Sequence, residues 1–381
     1  FDAHFQVVVG DNLDRMVEAI QMALSRADAI ILTGGIGPTQ DDVTREAIAA
    51  ATSRPLEFND EFAARLRKFW ESRGREMPAS NLRQAEYPRG AEQIPNPKGT
   101  APGLALEHDG QWIFALPGVP AEMKFLVEQE VLPRLRDLAG VEHVVLSRLI
   151  RTWGRSESQV AELLDDLYHE STNPSVAFLA SAAEIKVRIT AKAQTEQEAE
   201  ALIRPHEEEI RRRLGSSVFG SDGETIERVV LDLLEDKGWT LATAESATAG
   251  LVAARITSVP GASRVFRGGI VAYSTDVKSS ILDVPEDVLA EGVVSEATAL
   301  FMAEGAAERL RADVAVSITG SAGPDPQERP VGTMVIGVVT PDGAGARVLR
   351  LPGDRERIRT YTATAALHLL RLGLVGEWWE R

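Results

Sequence analysis

A serine follows a predicted buried strand in the segment Ala244-Glu-Ser-Ala-Thr-Ala-Gly250. The apolar stretch Thr240–Ala244 predicts the strand, and a helix is expected after the turn. A serine at a strand-to-helix turn can act as a nucleophile, because the backbone N–H groups that follow it can stabilise an oxyanion. Ser246 is therefore a candidate nucleophile that needs a base to take its proton.

Few residues in the last part of the chain can serve as that base. Between residues 222 and 381 the only histidine, His368, lies among leucines and is interpreted as structural, which argues against a Ser-His-Asp triad. Lys237 precedes Gly238 at a predicted helix end, where a cation interacts favourably with the helix dipole. Lys278 instead lies near a predicted helix start, where burial can lower the pKa of its amine. Spacing alone leaves Lys278 as either a general base or a solvated surface lysine.

A second candidate site is the loop Thr33–Thr44, which follows the predicted strand Ala27–Leu32. Its glycines let the backbone approach a ligand, and the N–H groups of the helix expected from Asp41 can bind an anion. Open α/β sheets hold ligands at this end of their strands. Asp41 and Asp42 can either cap the helix or hold a divalent ion. The glycines of the loop are Gly34, Gly35 and Gly37.

Two further segments are predicted to reach the same edge of the sheet. Leu116–Glu122 ends a strand with a turn at Gly118 and carries the carboxylate of Glu122 in the first helical turn. Asn96–Gly103 is too rich in proline and glycine for a helix or a strand. Together with the glycine loop, these segments predict a phosphate-binding cleft.

The elements that must position these residues alternate between strands and helices. A strand at Phe5–Val9, a helix capped by Asn12 and the strand Ala27–Leu32 predict a parallel sheet covered by helices. The last part of the chain again reads as strand, turn and helix, and it closes with a helix at Asp354–Arg371. We therefore expect an α/β fold at both ends of the chain.

The pattern changes from about Val144. Apolar and polar residues alternate from Ile185 to Lys192, as in a strand with one solvated face, and Glu196–Leu214 predicts a charged helix. This middle part is interpreted as a small α+β connecting domain, and Gly220–Gly223 is the predicted hinge after it. The predicted domains are residues 1–146, 147–221 and 222–381.

Composition limits the class of protein. The chain has 381 residues, no cysteine and a net charge of −16, which excludes disulfides and thiol chemistry and argues against nucleic acid as a main partner. Its six histidines have no i, i+4 pair, so any metal would be held by carboxylates and phosphates. No apolar run approaches the ~20 residues of a membrane-spanning helix, and the residues from Phe1 onward lack the charged and apolar regions of a signal peptide. A cytoplasmic enzyme without a membrane anchor is expected.

The motifs of the first domain form a specific set. GGxGPTxDD from Gly34, GTAPG from Gly99 and LPGxPxE from Leu116 resemble the N-terminal domain of the CinA family (competence- and damage-inducible protein A), which is related to molybdopterin-binding domains. The resemblance implies metal-dependent hydrolysis of ADP-ribose to AMP and ribose 5-phosphate. The implied ligands of the divalent metal ion are Asp41, Asp42 and Glu122. The implied substrate-binding residues are Gly34, Gly35, Gly37, Thr39, Asn96 and Gly118.

The motifs of the last domain are similar to the C-terminal CinA domain. They are AESxTxG, GGxVxYSxxxK, GxVSE and TGxAGP, which start here at Ala244, Gly268, Gly292 and Thr319. The resemblance implies a Ser/Lys amidohydrolase that needs no cofactor and converts nicotinamide mononucleotide to nicotinate mononucleotide and ammonia. It implies Ser246 as nucleophile and Lys278 as base, with Tyr273 lining the site or assisting proton transfer. The implied substrate-binding residues are Thr248, Gly250, Thr319, Gly320, Gly323 and Arg355, the last at the phosphate.

The chain departs from the family pattern at several places. The family usually reads AESCTGG where this chain has Ala247 and Ala249, and Ala249 replaces a glycine suited to positive φ. The loop after Gly323 contains fewer glycines than in the family. Family members usually open with a strand and a GTELLLG-like loop before the segment that matches Phe5–Gly10. About one strand and one helix of the expected sheet are therefore missing from this sequence.

The connecting domain resembles the KH-like module of the same family. RNA-binding KH domains use a G-x-x-G loop between helices, whereas the only such spacing nearby, Gly220–Gly223, follows the last strand. The expected partners are therefore nucleotides (nicotinamide mononucleotide and ADP-ribose) and a second copy in a homodimer, in an enzyme of pyridine nucleotide salvage. The alternative is a nucleotide- or molybdopterin-binding regulatory protein that has lost one or both activities.

Overall fold

The computed structural model of the chain describes residues 3–140, 143–181 and 184–378. The chain divides into two compact units, residues 1–141 and 142–381. None of the helices within the described ranges combines the length and the apolar composition that crossing a bilayer requires.

The first unit alternates helices with short strands. Its elements are α1 (Leu13–Leu24), β1 (Ala29–Thr33), α2 (Thr44–Ala51), β2 (Leu56–Phe58), α3 (Asp60–Glu71), a 3₁₀ helix (Ala79–Ala85), β3 (Glu86–Pro88), β4 (Glu92–Ile94), β5 (Gly103–His108), β6 (Gln111–Leu116), α4 (Pro120–Leu126), a π turn (Val127–Val131) and α5 (Leu132–Ala139). One sheet has the strand order β1-β6-β5-β4, and β2 pairs with β3. β1 and β6 are parallel and place Thr33 opposite Leu116, so the segments that follow these two strands begin side by side.

The first helix forms as its sequence predicts. The Asn12 side chain accepts a hydrogen bond from Arg15 N at 3.1 Å and so caps α1. The apolar face of α1 buries Ile20, which packs with Ile30 of β1 and Ile113 of β6 in the core of the unit. The predicted cap is confirmed.

The strand predicted at Phe5–Val9 is not formed. Residues 3–10 have no regular secondary structure, and the side chains of Phe5, Val7 and Val8 are 62%, 60% and 92% exposed. A strand is stable only when its N–H and C=O groups pair with a neighbouring strand. In the described sheet β1 is an edge strand that pairs only with β6, and residues 3–10 do not pair with its free edge. The prediction is wrong because a short apolar segment does not reveal whether a partner strand is present.

The connecting domain opens the second unit. Its elements are β7 (Val144–Trp153), α6 (Glu157–Leu163), α7 (Asp165–Glu170), β8 (Ser175–Ser181), β9 (Glu184–Ala193), α8 (Glu196–Leu214), a 3₁₀ turn (Gly215–Ser217) and β10 (Val218–Ser221). The antiparallel sheet has the order β10-β7-β9-β8. The alternation predicted along β9 is observed, since its apolar side chains Ile185, Val187, Ile189 and Ala191 are buried in the core of this domain. The first strand begins at Val144, a few residues before the boundary expected from the sequence.

The hinge predicted at Gly220–Gly223 is not a free linker. Its first two residues belong to β10, which pairs with β7. Asp222 then exchanges two hydrogen bonds with Leu149 of β7, at 2.7 Å through its backbone N–H and at 2.8 Å through its carboxylate. The glycines and small polar residues that suggested flexibility therefore form a fixed strand end.

The C-terminal domain is a five-stranded sheet with helices on both faces. Its elements are α9 (Ile226–Lys237), β11 (Leu241–Glu245), α10 (Leu251–Thr257), a 3₁₀ turn (Ala262–Arg264), β12 (Phe266–Val271), α11 (Thr275–Leu282), α12 (Glu286–Glu291), α13 (Glu296–Leu310), β13 (Val314–Gly320), β14 (Thr333–Thr340), β15 (Gly343–Arg350) and α14 (Arg355–Leu374). The strand order is β12-β11-β13-β14-β15, with β11 parallel to both of its neighbours. Helices α9, α10 and α14 share one core with the sheet, and α11 and α13 share the other. The predicted α/β class is confirmed.

His368 of α14 joins the connecting and C-terminal domains. Its ring is fully buried, stacks on Trp153 at 4.7 Å and donates from Nε2 to the Glu184 carboxylate at 3.2 Å. Burial lowers the pKa of this imidazole to about 4, so it is neutral at pH 7. The structural role expected for His368 agrees with this position between two domains.

Candidate active site

Ser246 is fixed at the end of the central strand of the C-terminal domain. It follows β11 directly, and its backbone N–H donates to Ile318 O of β13 at 2.9 Å. Only 8% of the residue is exposed. Two adjacent parallel strands therefore position the serine before α10 begins at Leu251.

The residue before the serine has a role that the sequence analysis missed. The Glu245 carboxylate is buried and accepts hydrogen bonds from three backbone N–H groups at the start of α10, those of Gly250, Val252 and Ala253, at 3.0, 3.1 and 2.9 Å. A negative charge is favourable at a helix N-terminus. Glu245 therefore ties the end of β11 to α10 across the serine turn. An acidic residue shortly before a predicted helix was the available signal.

Lys278 meets Ser246 in the interior of the domain. It lies in the first turn of α11 and is only 1% exposed. Its Nζ is 3.1 Å from Ser246 Oγ, and it also donates to Ala272 O at 3.0 Å and to Tyr273 O at 3.4 Å. The reading of Lys278 as a solvated surface lysine is thereby excluded.

The environment of Lys278 makes its neutral form easier to reach than in a solvated lysine. Desolvation by burial lowers the pKa of the amine, and the negative charges of Asp276 and Glu328 offset this only in part, so the pKa lies below its ordinary value of 10.5. A neutral amine at hydrogen-bonding distance can accept the serine proton. The arrangement is that of a nucleophile with its base.

A cavity of about 320 Å³ opens onto this pair. Seven predicted site residues line it, namely Ser246, Tyr273, Lys278, Thr319, Gly320, Gly323 and Arg355. Other residues that line it were not predicted from the sequence, among them Ala247, Ser274, Val293, Asp325 and Gln327. These come from loops that meet only in the folded domain.

Two predicted residues form the rim of the cavity. Arg355 donates to the Tyr273 hydroxyl at 2.9 Å and, through its other terminal nitrogen, to Gly323 O at 2.5 Å. Tyr273 is 58% exposed. A guanidinium at the rim can bind an anionic group of a ligand whose other end reaches Ser246.

Thr248 and Gly250 are not among the residues that line the cavity. Thr248 is completely buried beneath the turn, and Gly250 serves as the N-cap residue of α10 with φ +92°. Ala249 between them has φ +51°, the left-handed conformation that favours glycine. The position where the family pattern has glycine therefore keeps the glycine conformation with an alanine side chain.

Thr319 and Gly320 shape the opposite wall of the cavity. The Thr319 hydroxyl donates to Val293 O at 2.9 Å. A Cβ at Gly320 would lie 2.7 Å from the backbone oxygen of Thr333, so β14 leaves no room for a side chain at this position.

The glycine loop of the first unit is tightly packed. Gly34 N donates to Leu116 O at 2.9 Å, and a Cβ at Gly118 would lie 3.3 Å from Gly34 Cα. A Cβ at Gly35 would lie 2.2 Å from Thr44 Oγ1, which donates to Gly34 O at 2.9 Å. The structure thus brings the predicted loop and the turn after β6 together.

Two arginines hold the carbonyl groups of this loop. Arg45 is buried and donates to Ile36 O at 2.5 Å and to Gly37 O at 2.8 Å. Arg83 donates to Thr39 O and forms a 2.6 Å ion pair with Glu46. Neither arginine is among the residues predicted from the sequence.

Of the two alternatives for Asp41 and Asp42, the helix-capping one is wrong. α2 begins at Thr44, and its N-cap residue, Val43, makes no side-chain cap. The Asp42 carboxylate instead accepts hydrogen bonds from Thr39 N at 2.7 Å and from Thr39 Oγ1 at 2.6 Å. Burial would raise the pKa of Asp42, but these bonds, a further one from the Gly37 backbone and the charge of Arg45 lower it overall.

Glu122 is paired with Asn96, so these two predicted residues do lie together. Asn96 Nδ2 donates to Glu122 Oε2 at 2.7 Å and to Ala101 O at 3.0 Å. Within residues 3–140, 143–181 and 184–378, no group of three or more His, Asp or Glu side chains is arranged to hold a metal ion. The predicted metal ligands Asp41, Asp42 and Glu122 therefore do not fit a metal as they are placed, because Asp42 and Glu122 are engaged by Thr39 and Asn96.

Comparisons with known proteins cover nearly the whole chain. Family models match residues 223–374 ("CinA C-terminal domain"), 147–220 ("Damage-inducible protein CinA KH domain") and 1–137 ("Probable molybdopterin binding domain"). A CinA-like protein of Frankia casuarinae is 49% identical over 379 residues, which are 97% of this chain and 88% of that protein. A CinA-like protein of Dictyoglomus turgidum is 42% identical over 375 residues, or 98% of this chain and 91% of that protein. With its Ser246–Lys278 pair in the part that matches the CinA C-terminal domain, the chain belongs to the CinA family.

Proposed function

We propose that the C-terminal domain hydrolyses the carboxamide of nicotinamide mononucleotide to nicotinate mononucleotide and ammonia, with Ser246 as nucleophile and Lys278 as base. The observation that carries this proposal is the 3.1 Å contact between the buried Lys278 Nζ and Ser246 Oγ at the cavity. Family membership supports the proposal, because residues 223–374 match the CinA C-terminal domain and the resemblance to that domain implies this chemistry.

The first half of the reaction acylates the serine. Neutral Lys278 accepts the hydroxyl proton of Ser246 while Oγ attacks the carboxamide carbon, and the carbonyl oxygen becomes an oxyanion. The N–H of Ser246 is bonded to Ile318 O, which leaves the N–H of Ala247, a residue that lines the cavity, to donate to that oxyanion. The Lys278 ammonium then gives its proton to the leaving nitrogen, the C–N bond breaks and ammonia departs.

The second half releases the acid. Lys278 is neutral again and accepts a proton from water as the water oxygen attacks the ester carbon of the acylated Ser246. The C–O bond to Ser246 then breaks, and Oγ takes the proton back from Lys278. One water is consumed, and the products are ammonia and a carboxylic acid that ionises at neutral pH.

The cavity suits a small phosphorylated substrate. Its volume of about 320 Å³ lies at the lower end of the roughly 300–1,000 Å³ common for ligand sites. Arg355 at the rim can pair with a phosphate while Ser246 and Lys278 contact the carboxamide. A substrate with both groups would span the cavity.

Hydrolysis of ADP-ribose by the first unit stays a prediction. Asp42 and Glu122 are hydrogen-bonded within the protein and do not form a ligand set with Asp41. Release of AMP from ADP-ribose on addition of a divalent metal ion would establish this activity. Metal-independent binding without turnover would instead favour the regulatory alternative.

Ammonia release from nicotinamide mononucleotide tests the main proposal. Ser246→Ala removes the nucleophile and Lys278→Ala removes its base, so each should lower kcat/KM by ~10³-fold or more. Matched controls are Ser279→Ala on the same helix as Lys278 and Lys237→Ala, whose amine pairs with Asp342 at the surface. An inactive wild type, or a Ser246→Ala variant with wild-type activity, would refute the proposal.

A further inference from the structure

Arg359 reaches the serine turn from the closing helix. It lies one helical turn after Arg355 on α14, and its guanidinium donates from Nε to Ala247 O at 3.1 Å and from Nη2 to Thr248 O at 2.8 Å. The side chain is partly buried against the underside of the turn. Two successive carbonyl groups directly after the nucleophile thus share one planar cation.

These two bonds fix the orientation of successive peptide groups. The C=O of one residue and the N–H of the next point in opposite directions across a planar peptide. Arg359 holds Thr248 O, and the N–H on the same peptide, that of Ala249, donates to Ser246 O at 3.0 Å. That bond in turn orients the peptide between Ser246 and Ala247. The Ala247 N–H of this last peptide makes no hydrogen bond to any described residue.

The turn needs such support because it is strained. Ala249 has φ +51°, a conformation that costs a non-glycine residue roughly 1–2 kcal/mol. Backbone strain of this kind persists only where the surroundings over-determine it. Glu245 holds the far side of the turn through Gly250 N, and Arg359 holds the near side through Ala247 and Thr248.

We propose that Arg359 is a positioning residue that holds the Ala247 N–H as the oxyanion donor of the Ser246 site. The inference rests on the proposed hydrolytic function of this site. Arg359 acts through the backbone of the turn, since its guanidinium contacts carbonyl groups and not Ser246 Oγ. It should therefore affect the reaction step more than the binding of substrate.

Substitution of Arg359 should lower kcat while leaving KM nearly unchanged. Arg359→Met keeps the length of the side chain and removes both donors, so kcat for ammonia release should fall by about 10²-fold, the effect of losing or misplacing one oxyanion donor, while KM changes less than threefold. The kcat of Arg359→Lys, which has one amine in place of the planar guanidinium, should lie between those of the wild type and Arg359→Met. The matched control is Arg357→Met on the same helix, because Arg357 packs over Tyr361 and does not contact the turn.

Two more readouts distinguish positioning from a merely structural role. Affinity for nicotinate mononucleotide, measured by calorimetry, should stay near wild type in Arg359→Met, because the product carries no tetrahedral oxyanion. The rate at which a fluorophosphonate modifies Ser246 should fall by about the same factor as kcat, because the tetrahedral adduct places an oxygen in the same hole.

Each outcome decides the inference. A kcat of Arg359→Met within threefold of Arg357→Met would overturn it, as would equal losses in kcat and in product affinity. If the wild type releases no ammonia, the proposed function fails, and the fluorophosphonate rates still test Arg359 at Ser246. A Ser246 that the fluorophosphonate does not modify even in the wild type would overturn both.

Discussion

The glycine loop of the first unit and the serine turn of the C-terminal domain are built alike up to a point. Each follows the carboxyl end of a sheet strand, and in each an arginine donates to two successive carbonyl groups. Arg45 holds Ile36 and Gly37, and Arg359 holds Ala247 and Thr248. In both places an arginine side chain binds carbonyl groups of a loop, which lie outside the hydrogen bonding of strands and helices.

The two loops differ in how far along the chain the supporting arginine lies and in which side chains remain free to contact a ligand. Arg45 lies only eight residues after Gly37. The carboxylate of Asp42 is also used within the loop, because it accepts a hydrogen bond from the Thr39 hydroxyl. Arg359 lies 112 residues after Ala247, and the turn it supports presents Ser246 to Lys278 at a cavity. In the glycine loop the carboxylate of Asp42 is thus bonded within the loop itself, whereas in the serine turn Ser246 and Lys278 both line the cavity.

The largest expected effect tests whether Ser246 and Lys278 act as one unit. Ser246→Ala and Lys278→Ala should each cost ~10³-fold in kcat/KM, about 4 kcal/mol, and the double variant should cost no more than either alone. Ammonia release from nicotinamide mononucleotide measures all three. Additive losses would mean that the two residues act independently, contrary to the 3.1 Å contact between their side chains.

The next effect tests the role of Arg45 as a purely structural support. Arg45→Met leaves the carbonyl groups of Ile36 and Gly37 without these donors and should destabilise the loop by ~2 kcal/mol. Hydrogen exchange of residues 29–51 should show the loss, while ammonia release stays at the wild-type rate. Arg67→Met, an exposed residue of α3, is the control. Unchanged exchange would remove the parallel between the two arginines.

A smaller effect concerns the stability cost of the buried lysine. Because the folded pKa of Lys278 is lowered, the unfolded chain binds more protons between that pKa and 10.5, so stability rises with pH across this window. Lys278→Met should therefore raise the unfolding temperature at neutral pH by about 2–4 °C, the shift that ~1 kcal/mol causes in a unit of this size. The advantage should shrink as pH approaches 10.5, and an advantage that grew with pH would be inconsistent with a lowered pKa. In the wild type, kcat/KM should rise with pH through the same lowered pKa.

The smallest effect tests the strain in the serine turn. Ala249→Gly removes the left-handed strain of the alanine, roughly 1–2 kcal/mol, but raises the conformational entropy of the unfolded chain, which costs ~0.4–1 kcal/mol. The domain should therefore become more stable by roughly 0–1.6 kcal/mol. Ala254→Gly, at an exposed helical position of α10, should instead cost ~1 kcal/mol. Denaturant unfolding compares the two. Equal destabilisation by both changes would show that φ at Ala249 carries no strain.

Ser246 and Lys278 could be predicted from the sequence because the patterns that indicate them are local. A serine after an apolar strand and a lysine at a helix start are visible in short windows, and the family motifs add to them. The helix-capping role of Asp41 and Asp42 failed because a shift of three residues in the start of α2 looks the same in sequence. The roles of Glu245 and Arg359 depend on backbone atoms that only the fold brings within reach. The i, i+4 spacing of Arg355 and Arg359 was the one available hint that both face the same side of α14.

The buried contact around His368 has a consequence for cooperativity. His368 sits on the same helix as Arg359, and its stacking on Trp153 and its bond to Glu184 place connecting-domain side chains inside the packing of α14. Arg371 adds a 2.6 Å bond to Ser216 O at the far end of the helix. Melting the connecting domain would therefore expose the part of α14 around His368 and Arg371 to water and weaken the helix that carries Arg359. The two domains should lose their structure in a single thermal transition, although they read as separate modules in the sequence.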